Sequence, residues 1–195
     1  MKRILIISLV LGLTACASSR QEKIEKLATD ELYTQAKTEF TKGNFSNAIK
    51  LYDELQAKFP YGDRAVQAQL DVAYAHYKQN EMSITIAACD EFIHLHPSHP
   101  ATDYAYYLKG LAQFREDAGI LALIGQQDST EREPKAAQDA FNTFNTLIKK
   151  YPTSQYAEDA KQRMGYLAHV LAAHELHVAR YYLERRSYLA AANRG

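Results

Sequence analysis

One phrase of the sequence occurs three times, and it constrains the fold more than any other feature. Each copy ends in a ring-bearing residue followed by proline, at Phe59-Pro60, His96-Pro97 and Tyr151-Pro152. When the copies are aligned on that proline, three upstream positions match. These are, in chain order, Ala48, Thr85 and Ala140; Tyr52, Cys89 and Phe144; and Leu55, Phe92 and Leu147. Such self-similarity is the signature of a repeat protein, so the fold should be a stack of similar units.

Each copy predicts a helical hairpin. In the first copy, apolar residues recur at helical spacing from Leu32 to Phe40, and Gly43 then breaks the helix. Asn44 or Ser46 can cap the next helix, which ends at Pro60. The tetratricopeptide repeat typically has a small residue in its first helix, glycine in the turn, alanine in the second helix and proline at the end. The sequence therefore predicts an all-α, right-handed superhelix of tetratricopeptide hairpins.

The repeat domain is expected to cover residues 30–195. Its units should span about 30–60, 61–97 and 98–152, followed by an incomplete unit at 153–195. The third unit is long because it contains an insertion at residues 116–134, apolar in its first half and charged in its second. Insertions in repeat proteins map to loops, often functional ones. A hydrophobic plug over a helix end is an equally good interpretation.

The first residues have the pattern of a lipoprotein signal. Lys2 and Arg3 precede an apolar run that is too short for a comfortable membrane span. The junction at residues 13–16, Leu-Thr-Ala-Cys, resembles a bacterial lipobox. We therefore predict a signal peptide at 1–15, lipidation at Cys16 and a lipidated tether at 16–29. Several acyl chains such as palmitate anchor a protein durably, and Ala17 favours the outer membrane over inner-membrane retention in lipoproteins of this type.

Nothing in the composition or the motifs indicates catalysis, a cofactor or nucleic-acid binding. The chain has 23 basic and 23 acidic residues, so no basic surface of nucleic-acid strength is expected. Neither a glycine-rich phosphate loop nor a nucleophile elbow occurs. His174 and His177 lie three residues apart, whereas the zinc-protease pattern needs four. Cys89 aligns with core positions of the other units and should be a small buried residue.

A peptide groove is the candidate site. In stacked hairpins the first helix of each unit lines the concave face, and six residues of the first two units are placed there. They are Tyr33, Lys37, Phe40, Asp71, Tyr74 and Tyr77. Tyrosine offers contact area and a hydrogen-bonding tip, which suits an extended or β-prone peptide with apolar and aromatic side chains. Alternatively, about half of these tyrosines pack between hairpins.

Several stretches together resemble the BamD family, the tetratricopeptide lipoproteins of the β-barrel assembly machinery in Gram-negative outer membranes. The resemblance rests on the lipobox and on KGNFSNAIKLYDELQAKFPYG, FIHLHPSHPATDYAYYLKGL, DSTEREP and ARYYLERRSYLAAANR. It implies a lipid-anchored scaffold on the periplasmic face of the outer membrane, and not an enzyme. This scaffold assists the recognition, folding and insertion of β-barrel proteins.

The resemblance also implies partners. The first is the membrane-proximal POTRA domain of BamA, for which Arg194 is the expected contact residue. The others are the lipoproteins BamC and BamE and the terminal targeting signal of unfolded barrel proteins. Family members continue beyond this chain, so we expect the fourth unit to be truncated and docking of BamA and BamC to be weakened. We also expect the backbone amides of residues 173–195 to be the least protected from hydrogen exchange. The alternative function is another periplasmic repeat lipoprotein, serving pilus secretin assembly or cell-wall enzymes.

Overall fold

The computed structural model describes residues 26–123 and 134–194, with side chains described for 26–115 and 134–194. The predicted signal peptide, Cys16 and most of the insertion lie outside the described residues. Every regular element of the described part is an α-helix. In chain order these are α1 (26–41), α2 (Phe45–Lys58), α3 (Asp63–Lys78), α4 (Met82–Leu95), α5 (Thr102–Leu123), α6 (Lys135–Lys150), α7 (Ala157–Glu184) and α8 (Tyr188–Ala192). The predicted all-α fold of the tetratricopeptide type is confirmed.

The same tight turn joins the helices of three hairpins. Its central residue is left-handed, with φ of 82° at Gly43, 66° at Asn80 and 60° at Arg186. The next residue donates its N–H to a carbonyl five residues earlier. These bonds run from Asn44 to Glu39 at 2.9 Å, from Glu81 to His76 at 3.0 Å and from Ser187 to Tyr182 at 2.9 Å. Such turns give carbonyls near the end of the first helix a hydrogen-bond donor while the chain reverses direction.

The second helices of the hairpins also end alike. Phe59, His96 and Tyr151 have φ between −132° and −128°, and each donates its N–H to the carbonyl four residues earlier at 2.8 Å. Proline follows each of them, and proline can neither donate to the helix nor tolerate a helical residue before it. The aromatic–proline pairs that align the repeats in the sequence therefore set the helix ends. At the start of α2, Asn44 occupies the N-cap without a side-chain capping bond; its amide donates to Glu39 instead.

The described chain divides into two compact units, one up to Ala75 and one from His76. The core of the first unit is formed by Ala36, Ala48, Tyr52, Leu55, Ala65 and Ala68. A core of the second unit is formed by Ala137, Ala140, Phe144, Leu147, Ala160 and Leu167. All nine positions matched by the repeat alignment are buried. In each second helix the first matched position holds a small residue and the last a large one, so neighbouring helices can pack at close range.

Two residues of the second unit show how closely its helices pack. A Cβ atom on Gly110 of α5 would lie 2.5 Å from a ring carbon of Phe144 on α6, so only glycine fits at this contact. Cys89 is fully buried, as predicted, and burial raises the pKa of its thiol to about 12.

Among the helices of the described residues, none combines the length and apolar composition that a membrane span requires.

Candidate peptide-binding site

Asp71 is the centre of the polar cluster in the first unit. Its carboxylate accepts hydrogen bonds from the hydroxyls of Tyr33 and Tyr52, both at 2.9 Å. The Nζ of Lys37 lies 3.2 Å from both carboxylate oxygens. Asp71 is only 7% exposed, so its charge depends on these donors for compensation. Because the donors come from α1 and α2 and the acceptor from α3, the cluster ties three helices together.

The local sequence places the donors side by side. Tyr33 and Lys37 are four residues apart in α1 and therefore lie on one helical face. Phe40 is nearly one turn further on, and the Nζ of Lys37 lies 4.8 Å from the centroid of its ring. The ring of Phe40 in turn lies 5.7 Å from that of Tyr74 on α3. One face of α1 thus presents two rings with a cation between them.

Burial and the charge of Asp71 keep both tyrosines protonated. Desolvation by burial, followed by the charge of Asp71 and its hydrogen bond, raises the pKa of Tyr33 well above its usual range. The same causes raise the pKa of Tyr52. Both hydroxyls therefore stay protonated, and able to donate, to a higher pH than an ordinary tyrosine hydroxyl. This arrangement fixes the ring of Tyr33, which is half-buried at the surface of the unit.

Arg64 adds a second cation beside this cluster. Its guanidinium carbon lies 4.7 Å from the centroid of the Tyr33 ring, and its Nε donates to Asp30 at 2.8 Å. Its side chain is about half exposed. Arg64 could not be predicted from a local pattern because its partners lie more than thirty residues away in another helix. The polar role of Tyr52 could not be predicted either, since alignment with Cys89 and Phe144 indicated a purely apolar core position.

The structure brings together five of the six predicted groove residues. Tyr33, Lys37, Phe40, Asp71 and Tyr74 contact one another within the first unit. We call the half-buried members of this set, Tyr33, Lys37, Phe40 and Tyr74, the aromatic surface. Asp71 is too deeply buried to offer contact area and instead positions Tyr33 and Lys37. Peptide binding at these residues stays a prediction.

The remaining predicted residues lie elsewhere. Tyr77 belongs to the second unit, where the guanidinium carbon of Arg115 lies 5.3 Å from the centroid of its ring. Arg194, the predicted BamA contact, follows α8 and pairs with Glu175 of α7 at 3.1 Å. Within 26–115 and 134–194, no group of three or more histidine, cysteine, aspartate or glutamate side chains is arranged to hold a metal ion. Cys16 lies outside the described residues.

Comparison with known proteins identifies the family. Residues 25–195 match the family model YfiO, described as an outer membrane lipoprotein. A protein of Neisseria meningitidis serogroup B named outer membrane protein assembly factor BamD is 44% identical over 202 residues, covering 100% of this chain and 75% of the relative. The chain belongs to the BamD family. A Vibrio cholerae member is 34% identical over 186 residues, covering 95% of this chain and 77% of that relative.

Family membership confirms several sequence predictions. The resemblance to BamD proteins is confirmed along the chain from residue 25 onwards. The outer-membrane, lipid-anchored localisation agrees with the description of the family as an outer membrane lipoprotein. A further member from Haemophilus influenzae, also named outer membrane protein assembly factor BamD, is 32% identical over 189 residues and covers 97% of this chain and 71% of that relative. The individual site residues and the boundaries of the repeat units stay predictions.

Proposed function

We propose that the chain is a lipoprotein scaffold of the Bam complex at the outer membrane, where it assists the recognition, folding and insertion of β-barrel proteins. The observation that carries this function is the family match over residues 25–195, with relatives named as outer membrane protein assembly factors. A stack of helical hairpins suits this work because it presents an extended surface without needing a catalytic centre. We accordingly propose a binding function and not an enzymatic one.

The proposed partners follow from the resemblance noted in the sequence. They are a POTRA domain of BamA, the lipoproteins BamC and BamE, and unfolded β-barrel proteins. Outer-membrane lipid holds the chain through its anchor, and no nucleic acid takes part. In this scheme Arg194 contributes to the BamA contact. Its side chain is about half exposed although it is paired with Glu175, so it remains accessible to an acidic group of a partner.

The aromatic surface is proposed to capture the carboxyl-terminal segment of a barrel protein. The rings of Tyr33, Phe40 and Tyr74 offer flat apolar contact for aromatic side chains. The Lys37 side chain is 43% exposed, so its ammonium can reach a ligand carboxylate while still near Asp71. Arg64 offers a second cation beside Tyr33. A peptide that ends in an aromatic residue with a free carboxylate matches both features.

A labelled peptide tests this proposal directly. The probe is a terminal-strand peptide that ends in phenylalanine, prepared with a free carboxylate and, separately, as the amide. We expect Lys37→Gln to weaken binding of the free acid about fivefold to tenfold and to have little effect on the amide, since one charge-assisted contact is worth about 1 kcal/mol at a half-exposed position. Fluorescence anisotropy measures both affinities, and circular dichroism checks that the helices are intact.

The matched control is Lys58→Gln. Lys58 lies in the same unit and also pairs with a carboxylate, that of Glu54, but it is not part of the aromatic surface. The Lys58→Gln variant should bind both peptides with the affinity of the unmodified chain. If the amide and the acid bind equally well and neither substitution changes either affinity, the proposal of capture at the aromatic surface is wrong.

Docking in the Bam complex is tested separately by capture of purified BamA periplasmic domains on the full chain. Arg194→Gln is expected to weaken this capture.

A further inference from the structure

Tyr52 of α2 carries a hydroxyl where the matched residues of the other repeats, Cys89 and Phe144, have none. All three side chains are fully buried. A phenylalanine would fill nearly the same space as Tyr52, and a buried hydroxyl is costly unless it is hydrogen-bonded. The hydroxyl of Tyr52 donates to Oδ2 of Asp71 at 2.9 Å. The first repeat therefore departs from an apolar core position at a point where its core meets Asp71.

Lys37 is the most exposed donor to the Asp71 carboxylate. Its Nζ lies 3.2 Å from each of the two carboxylate oxygens, and its side chain is 43% exposed, against 10% for that of Asp71. An ammonium group has three N–H donors, and these two contacts use at most two of them. Lys37 therefore keeps a donor for a ligand at the surface while Asp71 holds its ammonium from the buried side.

The two tyrosine hydroxyls decide how strongly Asp71 holds this ammonium. The hydroxyl of Tyr33, like that of Tyr52, donates to Oδ2 of Asp71 at 2.9 Å, and the side-chain amide of Gln67 donates to Oδ1 at 3.4 Å. Each donor compensates part of the carboxylate charge, and a buried carboxylate attracts Lys37 more strongly when it is less compensated. Removal of a hydroxyl therefore draws Lys37 towards Asp71 and away from the surface.

The ring of Tyr52 has a separate role beneath the aromatic surface. Its centroid lies 5.7 Å from that of Tyr33 and 6.5 Å from that of Phe40. Because Tyr52 is fully buried and the other two rings are half-buried, it supports them from the core side. Tyr52→Phe keeps these ring contacts and removes the hydroxyl alone. Phenylalanine suits such a core position, since Phe144 is fully buried at the matched position of the third repeat.

We propose that Tyr52 is a positioning residue for the terminal carboxylate of the captured segment, and this inference rests on the proposed capture at the aromatic surface. Its hydroxyl compensates Asp71 and so leaves the Lys37 ammonium available to the ligand. Tyr52 is fully buried and does not itself touch the ligand. It sets the preference of the site for a free terminal carboxylate over an amide, and it acts through Asp71 and Lys37.

Fluorescence anisotropy with the peptide that ends in phenylalanine, as the free acid and as the amide, tests this role on the full chain. We expect Tyr52→Phe to weaken binding of the free acid about threefold to fivefold, the scale of one hydrogen bond, and to leave binding of the amide unchanged. In a chain that already carries Lys37→Gln, Tyr52→Phe should change neither affinity. Circular dichroism checks that the helices of each variant are intact.

Tyr107→Phe is the matched control, because it removes a hydroxyl that donates to another aspartate, Asp159 of the second unit, at 2.7 Å. This variant should bind both peptides with the affinity of the unmodified chain. The role of Tyr52 is overturned if Tyr52→Phe keeps the full preference for the acid, if it weakens acid and amide equally, or if it has the same effect in the Lys37→Gln chain. Equal binding of acid and amide by the unmodified chain would instead contradict the proposed capture itself, and the role of Tyr52 with it.

Discussion

At the scale of single residues, Asp71 links α3 to both α1 and α2. Asp71→Asn removes the charge that Lys37 faces and turns one acceptor into a donor beside the hydroxyls of Tyr33 and Tyr52. We expect a loss of about 1–3 kcal/mol in the free energy of unfolding, measured by urea denaturation. Glu54→Gln, which breaks an exposed pair with Lys58, should cost at most about 0.5 kcal/mol. Equal losses in both variants would contradict the central role of Asp71.

A second residue links stability to pH. Tyr107 donates to Asp159 at 2.7 Å, and burial, followed by this hydrogen bond, raises its pKa to about 12. An unfolded tyrosine titrates near pH ~10. Because the folded pKa is the higher one, the stability contributed by Tyr107 is complete below pH ~10 and is lost as the pH rises towards ~12. Denaturation at several pH values should show a steeper decline for the unmodified chain than for Tyr107→Phe, and parallel curves would disprove this coupling.

At the scale of elements, two glycines with opposite surroundings make a matched pair. Gly110→Ala would place its new Cβ 2.5 Å from the fully buried Phe144 ring, so α5 and α6 must separate. We expect this variant to lose about 1–3 kcal/mol of stability. Gly165→Ala in α7 meets nothing within 4 Å and should gain about 0.5–1 kcal/mol from helix propensity. Thermal unfolding compares the two, and a stable Gly110→Ala variant would mean that this helix contact is loose.

The second helices of the hairpins were predictable because proline fixes their register. Once Pro60, Pro97 and Pro152 are aligned, the helical period alone predicts which side chains are buried, and these predictions are confirmed. The contacts between first helices were not predictable. Tyr107 and Asp159 are 52 residues apart, and the insertion between α5 and α6 interrupts the period that would relate them. Long-range polar pairs depend on how hairpins stack, which a local pattern does not encode.

At the scale of the whole molecule, the predicted anchor decides where the protein is found. Cys16→Ser removes the only thiol of the lipobox, so the acyl chains cannot be attached and membrane binding is lost. We expect this variant to move from the outer-membrane fraction to the soluble periplasmic fraction on cell fractionation. Cys89→Ala removes the other cysteine of the chain and should stay in the membrane fraction. A membrane-bound Cys16→Ser chain would refute lipidation at this residue.

The burial of Cys89 also makes the protein convenient for spectroscopy. Once Cys16 carries its predicted lipid, Cys89 holds the remaining cysteine thiol of the chain, and that thiol is fully buried with a pKa of about 12. Because the thiolate is the species that reacts with maleimides, Cys89 is nearly inert in the folded state at neutral pH. A cysteine introduced at Tyr61, which is 92% exposed, therefore couples selectively to a fluorophore. The fluorescence of this single probe can then be followed during barrel assembly without replacing a core residue.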